Sequence, residues 1–174
     1  MAADGSIIIK KIKKGGGDAI ANYDSVSTPE GGEAMVKAAL DKWGQIDIVI
    51  NNAGILRDKS FQNMEPDMIQ AVLDVHLKGA FNVTQPAFKL MREQGYGRII
   101  STSSAAGIFG NFGQANYGAA KMALVGLMQT LALEGEKYNV RVNCLAPTAA
   151  TRMTSDIMPP QVLELLTPES VTPG

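Results

Sequence analysis

The sequence predicts an α/β protein with a doubly wound parallel sheet, because strand-like and helix-like segments alternate along the chain. Three runs have the length of strands and a nearly continuous apolar character, which is typical of parallel strands buried on both faces. Each run is followed by a turn of small and polar residues, "NNAG", "TSS" and "APTAAT". Ligands of doubly wound proteins bind at the carboxyl ends of the strands, so these turns are the predicted ligand-facing edge.

The first predicted elements are a helix, a short strand and a second helix. The run "IIIKKIKK" has a helical pattern, and the glycines at 15–17 end it. Residues 19–24, "AIANYD", are predicted to form a short strand. The second helix begins at "TPEGG", where Thr28 is the expected N-cap and Pro29 the first helical residue.

Strands and helices then alternate through the rest of the chain. The predicted strands are "IDIVINN", "GRIISTSS" and "VRVNCLAP". A long helix is predicted over 66–94, with Pro86 as a bend inside it. Another helix begins near "GQANYGAAK" and continues to "EGEKY". The whole chain, 1–174, is therefore predicted as a single domain of Rossmann-like organisation.

The composition indicates a globular protein without a strongly charged surface. Net charge is −1 and 45% of the residues are hydrophobic, so neither nucleic acid nor an anionic membrane is an expected partner. No apolar run is long enough for a membrane span, and no secretory or peroxisomal targeting signal is recognised. The single cysteine, Cys144, excludes an intrachain disulfide and is interpreted as a buried structural thiol.

A tyrosine, a lysine and a serine have a spacing that suits proton transfer. Tyr117 and Lys121 lie four residues apart on a predicted helix, so they share one face. A free tyrosine has a pKa near 10, and a neighbouring ammonium lowers it by favouring the phenolate. Ser104 ends the preceding strand and faces the start of this helix. The same spacing also occurs on helices without any chemistry, so the pair alone leaves both interpretations open.

The turn "NNAG" follows a buried strand at its carboxyl end. Gly54 lets a backbone approach a ligand closely, and asparagine tolerates turn geometry. An ordinary strand-to-loop turn is the alternative. In combination, "NNAG", Ser104 and Tyr117-x-x-x-Lys121, in this order and on these elements, resemble the short-chain dehydrogenase/reductase family over residues 19–154.

The resemblance implies a nicotinamide cofactor at the sheet edge and assigns a role to each site residue. Tyr117 is implied to be the catalytic acid/base, Lys121 to lower its pKa and hold the nicotinamide ribose, and Ser104 to position the substrate oxygen. Tyr117 and Lys121 are also implied to contact the cofactor. Asp24 and Ser25 are implied to contact its adenine end. Further cofactor contacts are implied in the turns after two strands: Asn52, Ala53, Gly54, Pro147, Thr148 and Thr151.

Longer motifs narrow the resemblance to one subgroup. "NNAGILRDKSF", "VHLKGAF" and "GIFGNFGQANYGAAK" are similar to the (3R)-hydroxyacyl-CoA dehydrogenase units of peroxisomal multifunctional enzymes. This implies NAD-linked oxidation of a 3-hydroxyacyl-CoA to a 3-ketoacyl-CoA in fatty-acid β-oxidation, with NADP left open. It also implies a peroxisomal location, or otherwise a cytoplasmic one, and a homo-oligomer paired through the small-residue helix of Tyr117.

His76 stands where the wider family has asparagine. A proton-relay role fits its near-neutral pKa, and a packed helix histidine is the alternative. His76 is the only histidine and lies far along the chain from Cys144, so no metal site is predicted.

The resemblance also implies an incomplete fold. The family's first strand and its glycine-rich turn, which seats the cofactor pyrophosphate, have no counterpart in the sequence. The first two strands and the last strand of the family fold are thus expected to be absent. The segment "AIANYD" would pair with "IDIVINN" or detach, and "IDIVINN" would expose an apolar edge. A catalytically inactive truncated relative or fragment, acting only through helix-mediated association, is the alternative to an enzyme.

Overall fold

The computed structural model of the chain describes residues 5–149 and 160–171. Three parallel strands form one sheet in the order β1–β2–β3: β1 is Ile48–Asn51, β2 is Gly97–Thr102 and β3 is Val140–Leu145. In the register of the sheet, Val49 lies opposite Ile99, and Ile99 lies opposite Val142. The predicted α/β class and its parallel sheet are confirmed.

Helices connect and flank the strands. They are α1 (Gly5–Lys14), α2 (Pro29–Trp43), α3 (Pro66–Leu73), α4 (Gly79–Gln94), α5 (Ala105–Phe109), α6 (Ala115–Gly135) and α7 (Pro160–Leu165). A π-helical turn, Asp74–Lys78, joins α3 to α4. Three 3-10 turns lie at Phe61–Asn63, Glu136–Tyr138 and Pro168–Val171. No helix within the described ranges is long and apolar enough to cross a membrane.

Two predicted helix boundaries are confirmed by their caps. Thr28 Oγ1 accepts a hydrogen bond of 3.1 Å from the Gly31 N–H at the start of α2, with Pro29 as the first helical residue. Helix α1 ends at Lys14, and Gly16 follows in the left-handed region with φ of 87°. Pro86 lies inside α4 rather than at its end.

The core lies on one face of the sheet. Helices α2, α4 and α6 pack there, and the buried side chains include Val49, Ile99, Val142, Phe88 and Met91. On the opposite face Ile48 and Ile50 remain 59% and 63% exposed. The expectation that helices cover both faces of these strands is therefore wrong for the part of the chain that the structure describes. These isoleucines lie on a face of the sheet, so the expected apolar edge of β1 stays a prediction.

Residues 19–24 do not form the predicted strand. Ile20 and Tyr23 are exposed, and the Asp24 N–H donates to Asn22 Oδ1 at 2.9 Å. A strand requires the backbone of a neighbour, and β1 pairs only with β2 in the described sheet. Local side-chain hydrogen bonding replaces the ladder in this segment, which lies outside the sheet.

Helices α2 and α4 approach each other closely at Gly32. Pro86 has no N–H, so it donates no helical hydrogen bond to the carbonyl of Asn82. A Cβ on Gly32 would come within 2.3 Å of that carbonyl oxygen and 2.4 Å of its carbon. Glycine is therefore required for the observed distance between the two helices.

Replacing Gly32 with alanine is expected to destabilise the protein by about 1–3 kcal/mol, because α2 must move away from α4. Gly126→Ala is the matched control, since nothing lies within 4 Å of a Cβ at that helical glycine. The control is expected to be neutral or up to about 1 kcal/mol more stable. Urea denaturation of both variants measures the difference, and equal stability of the two would contradict the packing argument.

Candidate active site

Helix α6 places Tyr117 and Lys121 one turn apart at its N-terminal end. Lys121 Nζ lies 5.6 Å from the centroid of the Tyr117 ring. Asn116 fixes this end of the helix, because its side-chain Nδ2 donates to the carbonyls of Arg57 at 2.9 Å and Met68 at 3.2 Å. Tyr117 is half-buried and Lys121 is buried.

The Lys121 ammonium is held between α6 and the end of β2. It donates a hydrogen bond to the Thr102 carbonyl. Burial lowers the pKa of Lys121 from 10.5 to about 8, and the nearby Cys144 thiol opposes this change. A buried amine with this pKa remains mostly charged at pH 7 and loses its proton more readily than an exposed lysine.

Cys144 is half-buried, whereas the sequence predicts a buried structural thiol. Its Sγ lies 3.4 Å from the Leu124 carbonyl oxygen, and burial raises the pKa of the thiol. A raised thiol pKa reduces the fraction of reactive thiolate at neutral pH.

The two adjacent serines after β2 have different surroundings. Ser103 is buried, and its hydroxyl donates to the Lys121 carbonyl at 2.8 Å. Ser104 is half-buried and caps α5, where its Oγ accepts from the Ala106 N–H at 3.2 Å. As an acceptor in this cap, Ser104 keeps its own hydroxyl proton for donation to another group.

His76 lies in the π-helical turn and connects α6 to the turn after β1. Its Nε2 lies 3.0 Å from the Ile55 nitrogen and 2.8 Å from the Ile55 oxygen. The imidazole meets the Tyr117 ring edge-on, with centroids 5.2 Å apart and an interplanar angle of 87°. A Cβ on Gly54 would lie 2.5 Å from His76 Cε1. The glycine of "NNAG" thus makes room for the imidazole.

The environment of His76 favours the neutral ring. Burial lowers the pKa of His76, the Ile55 hydrogen bond opposes that, and the Lys121 charge lowers it further. Its Nδ1 is buried and has no hydrogen-bond partner among the described residues. Single-turn π-bulges are frequent at functional sites, and this one positions the histidine.

The polar turn after β1 adjoins the same edge. Asn52 Oδ1 accepts from the Thr102 hydroxyl at 3.0 Å, and Asn51 Nδ2 donates to the Thr84 hydroxyl at 2.8 Å. A cavity of about 100 Å³ is lined partly by this turn, by His76 and by Val26. Residues 52–54 are exposed, so a ligand has access to this turn.

The structure brings only some of the predicted site residues together. Tyr117, Lys121, His76 and the 52–54 turn form one connected group, and Ser104 lies two residues after Thr102 at its edge. Asp24 and Ser25 are exposed before α2, where the Ser25 hydroxyl accepts from the Ser27 N–H. Pro147 and Thr148 follow β3, half-buried and exposed, respectively. Thr151 lies outside the described residues.

Three supporting residues were not predicted from the sequence: Thr102, Ser103 and Asn116. Each of them makes a hydrogen bond to a residue at least 18 positions away, as Ser103 does to Lys121. Of the three, Asn116 has the clearest sequence signal, because it is a polar residue directly before Tyr117 in a run of small residues.

His76 is expected to make the protein less stable in mild acid. Its folded-state pKa is lowered, so below about pH 6.5 the unfolded chain binds a proton that the folded chain does not. Stability is thus complete above that pH and is lost as pH falls, by at most about 1.4 kcal/mol per unit. Urea denaturation between pH 5 and 7 measures this slope.

His76→Gln is the comparison for that slope. The chain contains one histidine, so the variant is expected to lose the pH dependence between pH 6 and 7. A variant that keeps the wild-type slope would assign the acid sensitivity to carboxylates instead.

The fold and the site geometry agree with the comparison to known proteins. Residues 2–161 match the sequence model of the family described as short chain dehydrogenase. The chain belongs to the short chain dehydrogenase family, as its motifs predict.

Relatives of this chain include both short and multifunctional proteins. It is 55% identical to a short-chain type dehydrogenase/reductase of Mycobacterium tuberculosis, over 95% of this chain and 58% of that protein. It is 52% identical to peroxisomal multifunctional enzyme type 2 of Mus musculus, over 95% of this chain and 22% of that enzyme. The chain thus spans little more than half of one relative and about a fifth of the other.

A solved structure supports the fold. NAD+-bound xylitol dehydrogenase superposes with a TM-score of 0.79 at 32% identity, over 82% of this chain and 55% of that one. The Rossmann-like class is therefore shared with a solved dehydrogenase.

Proposed function

We propose that this chain is the catalytic part of a dehydrogenase that oxidises the secondary alcohol of a 3-hydroxyacyl-CoA to a ketone, with NAD as hydride acceptor. The main supporting observation is the half-buried Tyr117 ring, which lies against both the buried Lys121 ammonium and His76. The mouse relative is named peroxisomal multifunctional enzyme type 2, and this name supports a peroxisomal location.

Lys121 and the 52–54 turn fit the nicotinamide half of such a cofactor. Lys121 uses one of its three N–H donors on the Thr102 carbonyl, which leaves others for a ribose hydroxyl. The exposed 52–54 turn lies at the carboxyl end of β1, the expected ligand edge of this fold. A bound nicotinamide would supply the acceptor for the hydride that leaves the carbinol carbon.

Residues of the chain itself would transfer the proton of the substrate hydroxyl. Tyr117, as phenolate, accepts the proton of the substrate hydroxyl, and the Lys121 ammonium stabilises that phenolate. Ser104 donates its free hydroxyl proton to the same substrate oxygen and fixes its direction. His76 holds Ile55 and the Tyr117 ring in position, so it acts as a positioning residue in this scheme.

The direct test is NADH formation by the purified chain with 3-hydroxybutanoyl-CoA and, separately, 3-hydroxydodecanoyl-CoA. Parallel reactions with NADP decide the cofactor. Formation of NADH and the matching 3-ketoacyl-CoA supports the proposal, whereas absence of both products with every pair contradicts it.

Helix-mediated association without catalysis is the second candidate. Apolar side chains exposed on α6, Met122 and Leu133, favour it. Lack of turnover and lack of NADH binding, together with a dimeric mass in light scattering, would select this candidate. Turnover that depends on Tyr117 would reject it.

A further inference from the structure

Three phenylalanines beside the candidate active site are almost fully exposed. Phe61, Phe109 and Phe112 are 78%, 85% and 91% exposed, respectively. Together they are named the aromatic rim. Large apolar side chains seldom remain so exposed in clusters unless they bind something.

The segments that carry Phe61 and Phe112 are joined by hydrogen bonds. The Lys59 N–H donates to the Gly113 carbonyl at 2.8 Å, and Gln114 Nε2 donates to Asp58 Oδ2 at 2.8 Å. Phe61 and Phe112 lie two residues and one residue from the bonded Lys59–Gly113 pair. Their backbones are thus fixed near each other, although the rings face solvent.

Two members of the aromatic rim lie close along the chain to the proton-transfer residues. Ser104 caps α5, and Phe109 is the last residue of that five-residue helix. Phe112 lies five residues before Tyr117 along the chain, at the entry to α6. A substrate whose reacting oxygen lies at Ser104 and Tyr117 can therefore extend an apolar portion over the exposed rings.

We propose that the aromatic rim binds the apolar acyl tail of the substrate and gives the enzyme a preference for long chains. This inference rests on the proposed function, because it takes the alcohol carbon to lie at Ser104 and Tyr117. A linear alkyl chain fits rings on a fixed backbone, since each methylene removed from water adds to affinity. A second copy of the chain is the rival occupant and is one outcome of the test.

The test measures binding by calorimetry with two probes, 3-hydroxydodecanoyl-CoA and 3-hydroxybutanoyl-CoA. The unaltered chain is expected to bind the long probe more tightly. Phe112→Ala and Phe109→Ala are each expected to weaken binding of the long probe by about tenfold, because this is the effect of losing the burial of part of one ring. Binding of the short probe is expected to stay unchanged. The rings are exposed, so both variants are expected to fold, which circular dichroism checks.

Phe81→Ala is the matched control, because Phe81 is an exposed phenylalanine on α4. It is expected to bind both probes as the unaltered chain does. The proposal is overturned if the unaltered chain shows no chain-length preference or binds neither probe. It is also overturned if the rim variants keep the preference, or if they convert a dimer to a monomer without changing binding.

The two proposals fail differently. If the long probe binds through the aromatic rim but no NADH forms with either thioester, the rim survives and the dehydrogenase function fails. If both thioesters are oxidised with equal kcat/KM and equal affinity, the function survives and the rim fails.

Discussion

Replacing Tyr117 with phenylalanine is expected to lower kcat by about 10²–10⁴-fold while binding and fold remain near normal. The substitution removes only the hydroxyl. The described contacts of this side chain, with the His76 ring and the Lys121 ammonium, involve the aromatic ring and are retained. Steady-state NADH formation with a 3-hydroxyacyl-CoA measures the effect.

Tyr23→Phe serves as the control for that loss. Tyr23 is exposed and lies outside the sheet, so removing its hydroxyl is expected to leave kcat unchanged. A Tyr117→Phe enzyme that turns over like wild type would remove the tyrosine from the proton-transfer step. A loss confined to KM would instead assign it to ground-state binding.

The elements that the sequence predicts correctly are those determined locally. Strands β1, β2 and β3 follow from short apolar runs ended by polar turns. Helix α2 begins where Thr28 and Pro29 form an N-cap and first turn. The proximity of Tyr117 and Lys121 is also local, because helical geometry alone places residues four apart on one face.

The features that sequence reasoning missed depend on distant partners. The apolar and aromatic residues of 19–24 favour a strand, but pairing requires a neighbouring backbone that the described sheet does not supply. The π-helical turn at 74–78 has no sequence signature comparable to a cap. Its consequence, the bond from His76 to Ile55, joins positions 21 residues apart. Local patterns identify candidate residues, whereas burial and long-range contacts decide which of them meet.

Replacing Lys121 with methionine is expected to abolish turnover and yet leave the protein as stable as wild type, or more stable, at pH 7. Holding this amine charged is unfavourable, because burial lowers its pKa from 10.5 to about 8, a cost on the order of 3 kcal/mol. The lost hydrogen bond to the Thr102 carbonyl offsets about 1–2 kcal/mol of that gain. Lys89→Met, at an exposed lysine on α4, is the control for general effects of lysine removal.

The pH dependence of stability distinguishes the cost of a buried charge at Lys121 from better packing of the methionine side chain. Because the folded-state pKa of Lys121 is the lower one, between about pH 8 and 10.5 the unfolded chain binds more protons than the folded chain. Wild-type stability is therefore expected to rise with pH across this window, and Lys121→Met is expected to lose that rise. Urea denaturation at pH 7 and about pH 10 measures both slopes. If Lys121→Met is less stable than wild type at pH 7, the ammonium stabilises the fold. Burial of Lys121 would then not be a loss of stability that is retained because the function requires it.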